Sequence, residues 1–593
     1  MTLRTPLRPL ARILDARARG ENPDAIMREN LRLRHEAERD RMRQRAEGRL
    51  LLMALVFLMA FGSVGVRMAA LATTEAEEPS VAQSTPAIHT TRADIVDRQG
   101  RVLATNFATN ALYAHPHEIV DARAAADGLA EIFPEMNADT LYERFASERR
   151  FLWLRRYLSP EQEQQVHDLG EPGLLFGPRE MRLYPNGSIA SHILGGAGFG
   201  QEAVNAAEVI GVAGIEAMFD EELRDPGRDQ PLTLSLDLTV QAALEEVLAG
   251  GMALMNARGA AAVLMDVHTG EIVALASLPD FDPNARPAPL TEGDPADSPL
   301  FNRAVQGVYE LGSVFKAFTI AQAIDLGLFN VDDMIDTRGP LRMAGFAIRD
   351  FRSYGPEQSV HDVFIHSSNI GTARMAQVIG PERQREFLAR LGLLEPAPVE
   401  IVEARNARPL VPGRWGELST MTISYGHGVS TSLVHLAAAY ASLVNGGTLV
   451  RPTLLRQDVP QQGERIVSEA TSRDIRDLMR ATVTDGTASF AEVEGYFVGG
   501  KTGTADLPRP SGGYYDDRNI NTFASAFPMH DPRYVLIAML QEPVETSGPE
   551  PRRTAGWTVV PVAAEIIRRA APLLGLRPEI EPLREDELSS SSR

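Results

Sequence analysis

The 59 lysines and arginines of this chain divide into 57 arginines and two lysines, Lys316 and Lys501. Each lysine lies in a short string suited to chemistry: Ser313-Val314-Phe315-Lys316 and Lys501-Thr502-Gly503-Thr504. Arginine does not give up its proton in a protein, whereas a buried lysine can be tuned to do so. A chain that uses arginine nearly everywhere and keeps lysine at these two places points to serine acyl transfer, with lysine as the base. Residues 312–326 read as a buried helix with the serine in its first turn. Its Oγ then lies at the positive end of the helix dipole. Lys316, three residues on, shares the same face within hydrogen-bond reach. A neutral, desolvated lysine there can take the serine proton.

Two further strings can complete such a site. Ser367-Ser368-Asn369 follows a helical stretch over 360–366. A second hydroxyl and an amide can relay a proton to a leaving group and orient a substrate's peptide bond. The adjacent His366 reads as structural. Lys501 follows residues 496–500, which read as a strand. Glycine at 503 lets another backbone approach closely, as when a substrate pairs like an added strand. Lys501 and the hydroxyls of Thr502 and Thr504 can then hold a carboxylate. Residues 495–502 (GYFVGGKT) also match the P-loop pattern letter for letter. A P-loop needs a helix straight after its lysine, and Gly503-Thr504-Ala505-Asp506-Leu507-Pro508-Arg509-Pro510 starts one poorly. Nucleotide binding is therefore rejected. The glycine-rich stretch 195–200 (GGAGFG) lacks the strand-turn-helix context of a nucleotide site and reads as a plain loop.

The elements that position these residues divide the chain into segments. Residues 1–49 carry thirteen arginines against eight acids, and the tract 28–49 reads as a solvated helix with i,i+4 pairs. Residues 50–66 are uncharged and apolar, and the character extends to 72, which predicts a transmembrane anchor over 50–72. Positive charge before it and Glu75, Glu77 and Glu78 after it place the N-terminus in the cytoplasm and the body outside the inner membrane. A cleaved signal peptide and a buried core helix are the weaker alternatives, given the long polar lead and the charge asymmetry. A linker is expected over 73–91. Residues 93–103 alternate like a hairpin around Gln99-Gly100, and helical periodicity covers about 119–170. A second domain starts near 231 with a strand leading into a helix over 240–252. Two paired strands follow around His268-Thr269-Gly270. The acidic, serine-rich end, 578–593, is expected to be disordered.

Composition narrows the function. A net charge of −20 argues against nucleic acid, which needs a basic surface. The absence of cysteine excludes disulfides, thiol catalysis and thiolate-bound zinc. No His-x-x-x-His pair has a metal-ligand context, and His115-Pro116-His117, the closest cluster, reads as a surface loop. Neither a metal nor a cofactor is called for.

Serine–x–x–lysine, serine–x–asparagine and lysine–threonine–glycine, in this order and spacing, resemble the motif set of penicillin-binding proteins and serine β-lactamases. Residues 302–310 (NRAVQGVYE) leading to Gly312-Ser313 resemble the class B, membrane-anchored transpeptidases. So do Asp97-Arg98-Gln99-Gly100-Arg101, Arg182-Leu183-Tyr184-Pro185 and Gly214-Ile215-Glu216. Tyr309-Glu310 and Ser424-Tyr425-Gly426-His427-Gly428 are closer to the division-specific FtsI type than to the elongation type. Leu311 departs from the proline common in the family, which touches the helix entry and not the chemistry. The resemblance covers about residues 50–575. It implies a multidomain α/β (α+β) protein: an elongated α+β pedestal over 92–230, then a transpeptidase domain over 231–577 with an antiparallel sheet sandwiched by helices.

The resemblance also implies roles. Ser313 attacks the penultimate D-alanine carbonyl of a peptidoglycan stem peptide, and Lys316 is its base. Ser367 shuttles the proton and Asn369 positions the substrate amide. Lys501, Thr502, Gly503 and Thr504 form the substrate-binding strand, and the N–H groups of Ser313 and Thr504 form the oxyanion hole. An acceptor amine completes a cross-link, and β-lactams acylate the same serine. A membrane glycosyltransferase of the FtsW type and other division proteins are the implied partners. Rival readings are an elongation-type transpeptidase, a D,D-carboxypeptidase, a β-lactamase and a non-catalytic scaffold. Anchor and pedestal count against the β-lactamase, and the intact motifs count against the scaffold.

Overall fold

The computed structural model describes residues 8–22, 24–25, 28–29, 32, 53–65, 92–203, 206–509 and 512–579, in two compact units, Met1–Gln83 and Ser84–Arg593. In the first unit a helix spans Arg8–Ala18 and another covers 53–65. Among the described residues no helix is long and apolar enough to cross a membrane. The anchor expected over 50–72 runs beyond the described residues at both ends. The linker before Arg92, most of the arginine tract and residues 580–593 lie outside them.

The second unit opens with the expected hairpin. Strand β1 (Ile95–Val96) pairs antiparallel with β2 (Val102–Ala114) around Gln99-Gly100. The helical stretch expected over 119–170 is three helices, α1 (Ala122–Ile132), α2 (Ala138–Phe145) and α3 (Pro160–Asp168), interrupted by strand β3 (Leu152–Arg155). Asp121, Asn137 and Ser159 cap the three helices, their side chains accepting from backbone N–H groups of the first turn. Strand β3 and strand β4 (Leu174–Leu183) both pair with the long β2. The expected loop at 195–200 is instead mostly strand: β5 (Gly196–Ala203) pairs with β6 (Ala206–Ala213). Close backbone contact explains the glycines there. A Cβ on Gly195 would lie 2.2 Å from the Ala213 carbonyl oxygen, and one on Gly211 would lie 1.9 Å from that of Glu216.

Two of the quoted motifs, 182–185 and 214–216, meet in this domain's interior, joined by Arg92. The Glu216 carboxylate takes Arg92 Nε at 2.6 Å, Arg182 Nε at 2.6 Å and the Tyr184 hydroxyl at 3.2 Å, all buried. The Asp97 string reaches forward in the chain. Asp97 accepts from the backbone N–H groups of Gln99, Arg101 and Leu238, while Arg101 also pairs with Asp237 at 2.8 Å. Strand β7 (Leu232–Thr233) then lies parallel to β1, in register Ile95 with Leu232.

Helix α4 (Leu238–Leu254) follows, capped by Asp237, as the strand-to-helix reading anticipated. Strands β8 (Gly259–Asp266) and β9 (Ile272–Leu278) are apolar at both parities, as a strand covered on both faces requires. They form one side of a five-stranded sheet in the order β10 (Gly499–Pro508), β11 (Tyr514–Phe527), β12 (Tyr534–Gln541), β8, β9, with every neighbour antiparallel. Side chains alternate along each strand. Ala261, Val263 and Met265 pack with α5 (Lys316–Asp325) and α8 (Leu433–Val444). Ala260, Ala262 and Leu264 pack with α4 and α9 (Val559–Leu573). This is the expected sandwich, and it sets β10 at the sheet's edge beside the buried helix α5.

Candidate active site

Ser313 sits on a single 3-10 turn, Gly312–Phe315, that runs into α5, so the serine precedes the α-helix proper. The turn is wedged against the edge strand. Gly312 has φ +63°, and a Cβ there would stand 2.9 Å from the Thr504 carbonyl oxygen. Gly503 meets the same turn from the other side: its added Cβ would lie 2.3 Å from the Leu311 carbonyl oxygen. The glycine in the lysine–threonine–glycine string is therefore required by strand β10 pressing on the serine turn, where the sequence reading assigned it to an approaching substrate. From behind, the buried Tyr440 donates its hydroxyl to the Val314 carbonyl at 2.7 Å. Gly426 closes the third side, with an added Cβ 2.0 Å from the Gly312 carbonyl oxygen.

Lys316 is 0% exposed. Its Nζ donates to the Ser367 carbonyl at 2.5 Å and to Asn369 Oδ1 at 2.7 Å, and lies 3.0 Å from Ser367 Oγ. These bonds tie the first string to the second; the expected contact between Lys316 and Ser313 is not among the hydrogen bonds of the described residues. Burial pushes the Lys316 ammonium well below the usual lysine range, the charge of Lys501 adds to that, and the Asp350 carboxylate opposes it. A lysine lowered in this way gives up its proton more readily, as a base must.

Ser367 has φ +62° between α6 (Val360–Ile365) and α7 (Asn369–Ile379). The Ser368 N–H reaches the Val363 carbonyl at 2.9 Å and the Ser367 N–H reaches that of Phe364 at 3.2 Å. This is a Schellman motif, whose left-handed residue is ordinarily glycine. A side chain there costs about 1–2 kcal/mol, yet it supplies the hydroxyl facing Lys316. His366 stacks on Tyr354 at 4.1 Å, consistent with its structural reading.

Asp350 is the site residue that sequence reasoning missed. One carboxylate oxygen accepts from the N–H groups of Asn369 (2.6 Å) and Ile370 (3.0 Å), and the other from the Ser368 hydroxyl (2.8 Å). It caps α7 where the amide of Asn369 emerges, and Asn369 Nδ2 is held by the Arg349 carbonyl at 3.0 Å. No pattern in the sequence marks it, because it acts through backbone groups from a loop nearly twenty residues upstream.

Lys501 lies on β10 and is also 0% exposed. Among the described residues its Nζ has no hydrogen-bond partner, and it lies 5.6 Å from the centre of the Phe364 ring. Burial lowers it to about 7. An unpartnered buried ammonium is a ready receptor for an anion. Thr502 and Thr504, two apart and so on one face of the strand, are held by Thr487 Oγ1 at 2.8 Å and by the Ala555 N–H at 3.0 Å. The strand continues through Pro508 with no helix after Lys501, which removes the P-loop reading structurally. The fold and the site thus define a serine acyl-transfer domain, with a fully buried lysine beside its serine turn, that follows a smaller α+β domain in the chain.

The comparisons with known proteins agree. The penicillin binding protein transpeptidase domain matches residues 260–567 and the penicillin-binding protein dimerisation domain matches 87–229. The chain belongs to the penicillin-binding proteins, as a serine penicillin-binding transpeptidase. It is 35% identical to the "Probable peptidoglycan D,D-transpeptidase FtsI" of Caulobacter vibrioides, over 93% of each chain. It is 31% identical to the "Probable peptidoglycan D,D-transpeptidase PenA" of Neisseria gonorrhoeae, over 77% of this chain and 81% of that one. With the "Peptidoglycan D,D-transpeptidase FtsI" of Escherichia coli K12 the identity is 28%, over 77% and 80%. Penicillin binding protein 3 of Mycobacterium tuberculosis, solved in complex with aztreonam, shares the fold with a TM-score of 0.62 at 24% identity. The match covers 84% of this chain and 99% of that one.

Proposed function

We propose that this protein is a peptidoglycan D,D-transpeptidase of septal cell-wall synthesis in cell division, working through an acyl-enzyme on Ser313. The observation that carries the reading is the convergence of the serine turn, a fully buried Lys316 tied to Ser367 and Asn369, and an unpartnered buried Lys501 on the adjoining edge strand. Lys316, neutral in the resting enzyme, takes the Ser313 proton as Oγ adds to the penultimate D-alanine carbonyl. The backbone N–H groups of Ser313 and Thr504 hold the oxyanion, each donor contributing about 3 kcal/mol. Collapse expels the terminal D-alanine, whose nitrogen receives a proton through Ser367. Asn369 orients the substrate amide, and Lys501 with Thr502 and Thr504 holds the terminal carboxylate. An acceptor amine then attacks the ester, loses its proton to the same base and releases Ser313 with a new peptide cross-link. β-Lactams acylate Ser313 as mimics of the D-Ala-D-Ala end.

The same reading places an anchor over 50–72 in the inner membrane, with 1–49 cytoplasmic and the two folded domains, 92–230 and 231–577, periplasmic. A membrane glycosyltransferase of the FtsW type supplies the strands. The names of the relatives support the division role. The test is labelling of the purified chain with a fluorescent penicillin, native against Ser313→Ala. Stable labelling lost in the variant is the expected result. Labelling that fades within seconds would favour a β-lactamase, and none at all on folded native protein would sink the acyl-enzyme.

A further inference from the structure

In the pedestal domain, β2 runs out at Ala114 into a 3-10 turn, Pro116–Glu118. His115 caps the turn in extended conformation and Pro116 fixes its first φ, so His115, His117 and Glu118 project from little more than one tight turn. One ligand-capable atom from each lies within 4.8 Å of the others, the only such group of histidines and acids found among the described residues. His115 Nδ1 stands 3.5 Å from one oxygen of Glu118, and His117 Nε2 stands 3.5 Å from the other. The two imidazoles are stacked, with centroids 5.6 Å apart and planes 16° apart. His115 is steadied by Tyr113 at 5.5 Å and Phe151 at 6.0 Å, so it is a fixed ligand and not a swinging one.

Two imidazoles turned toward one carboxylate at 3.5 Å are too far for good hydrogen bonds, which close to about 2.7–3.2 Å. Ligands at about 2.0–2.1 Å from one ion stand roughly 3.3 Å apart, near the 3.5 Å that separates each imidazole from its own oxygen of the carboxylate, and one ligand-capable atom of each residue lies within 4.8 Å of the others. Imidazole nitrogen with one carboxylate is a donor set suited to zinc and its neighbours, and a poor one for magnesium or calcium. We propose that His115, His117 and Glu118 form a divalent zinc-class cation site with the fourth position open to water. The ion would lock the turn between β2 and α1, whose three ligands all come from residues 115–118. The surface-loop reading of the sequence overlooked it because His-x-His-Glu is shorter than the spacings that signal zinc sites.

The test is calorimetric titration of the full chain, stripped with chelator and held in detergent, with zinc chloride and with magnesium chloride as control. His117 and Glu118 are about half exposed, so His117→Ala and Glu118→Gln leave the fold intact, checked by unchanged penicillin labelling. The proposal expects one saturable zinc site per chain, no magnesium heat, and affinity weakened at least about tenfold by either substitution. Cobalt in place of zinc should give the visible bands of a four-coordinate ion, lost in His117→Ala. Absence of a saturable zinc site, or zinc binding equal in native protein and both variants, overturns it.

Discussion

At the residue scale, the site holds groups in states they would not adopt in water, and the consequences have opposite signs for stability and activity. Ser367 occupies a left-handed position that glycine fills more comfortably. Ser367→Gly should therefore stabilise the protein by about 0.5–1 kcal/mol while slowing penicillin acylation about a hundredfold or more; thermal unfolding and labelling rates read the two effects separately. The lysines predict a pH profile. Lys316 must be neutral to act as base, so acylation rises as pH climbs through its depressed value. Lys501 must be charged to hold a carboxylate, so the rate constant for the free enzyme falls as pH passes about 7. A bound carboxylate raises Lys501 again, so the alkaline limb for turnover should lie higher than the limb for acylation by dilute penicillin. A profile flat to pH 9 would contradict the assignment of Lys501. The strings around Ser313, Lys316 and Lys501 stood out because lysine is so rare here. Asp350 did not, because its hydrogen bonds run mainly to backbone N–H groups whose positions depend on the folded chain.

At the element scale, the serine turn is held by close backbone contact on several sides, and glycines permit it. Gly503→Ala puts a methyl 2.3 Å from the Leu311 carbonyl oxygen, so strand and turn must part. The expected outcome is a loss of about 1–3 kcal/mol in stability and a larger fall in the acylation rate than in non-covalent penicillin binding, measured by stopped-flow labelling. Gly503 shows how a correct residue can be noticed for an incomplete reason: the sequence marks a close approach, but only the fold says that the visitor is the enzyme's own turn. The paired strands β8 and β9 and the strand leading into helix α4 were legible from the residues themselves, whereas the sandwich was implied by the family resemblance. The hairpin of β5 and β6 was not legible, because its glycines hide the alternation that identifies a strand.

At the scale of the whole molecule, residues up to 124 positions apart in the chain converge on one buried charge. Arg92, Arg182 and Tyr184 all meet Glu216. Glu216→Gln removes the counter-charge that buried Arg92 and Arg182 share, leaving Arg92 its second partner Asp220 at 2.7 Å, and should cost about 3 kcal/mol. The expected result is a lower unfolding midpoint with an unchanged acylation rate in the protein that remains folded. Domain order was legible from motif order, but the way the two domains are joined was not, since a two-residue strand such as β7 carries no periodicity. That short strand has a consequence for how the chain is made. The backbone of residues 94–98 is bonded to that of 232–236, through Leu232 to Asp94, Leu234 to Val96 and Arg98 to Leu236. A ribosome adding residues at about 5–20 per second needs roughly 7–28 s to travel from one to the other. Throughout that interval the first hairpin has an unpaired edge, open to any passing strand. The nascent pedestal is thus unfinished until the first residues of the catalytic domain have emerged, and shielding that edge is a task for whatever accompanies the chain during synthesis.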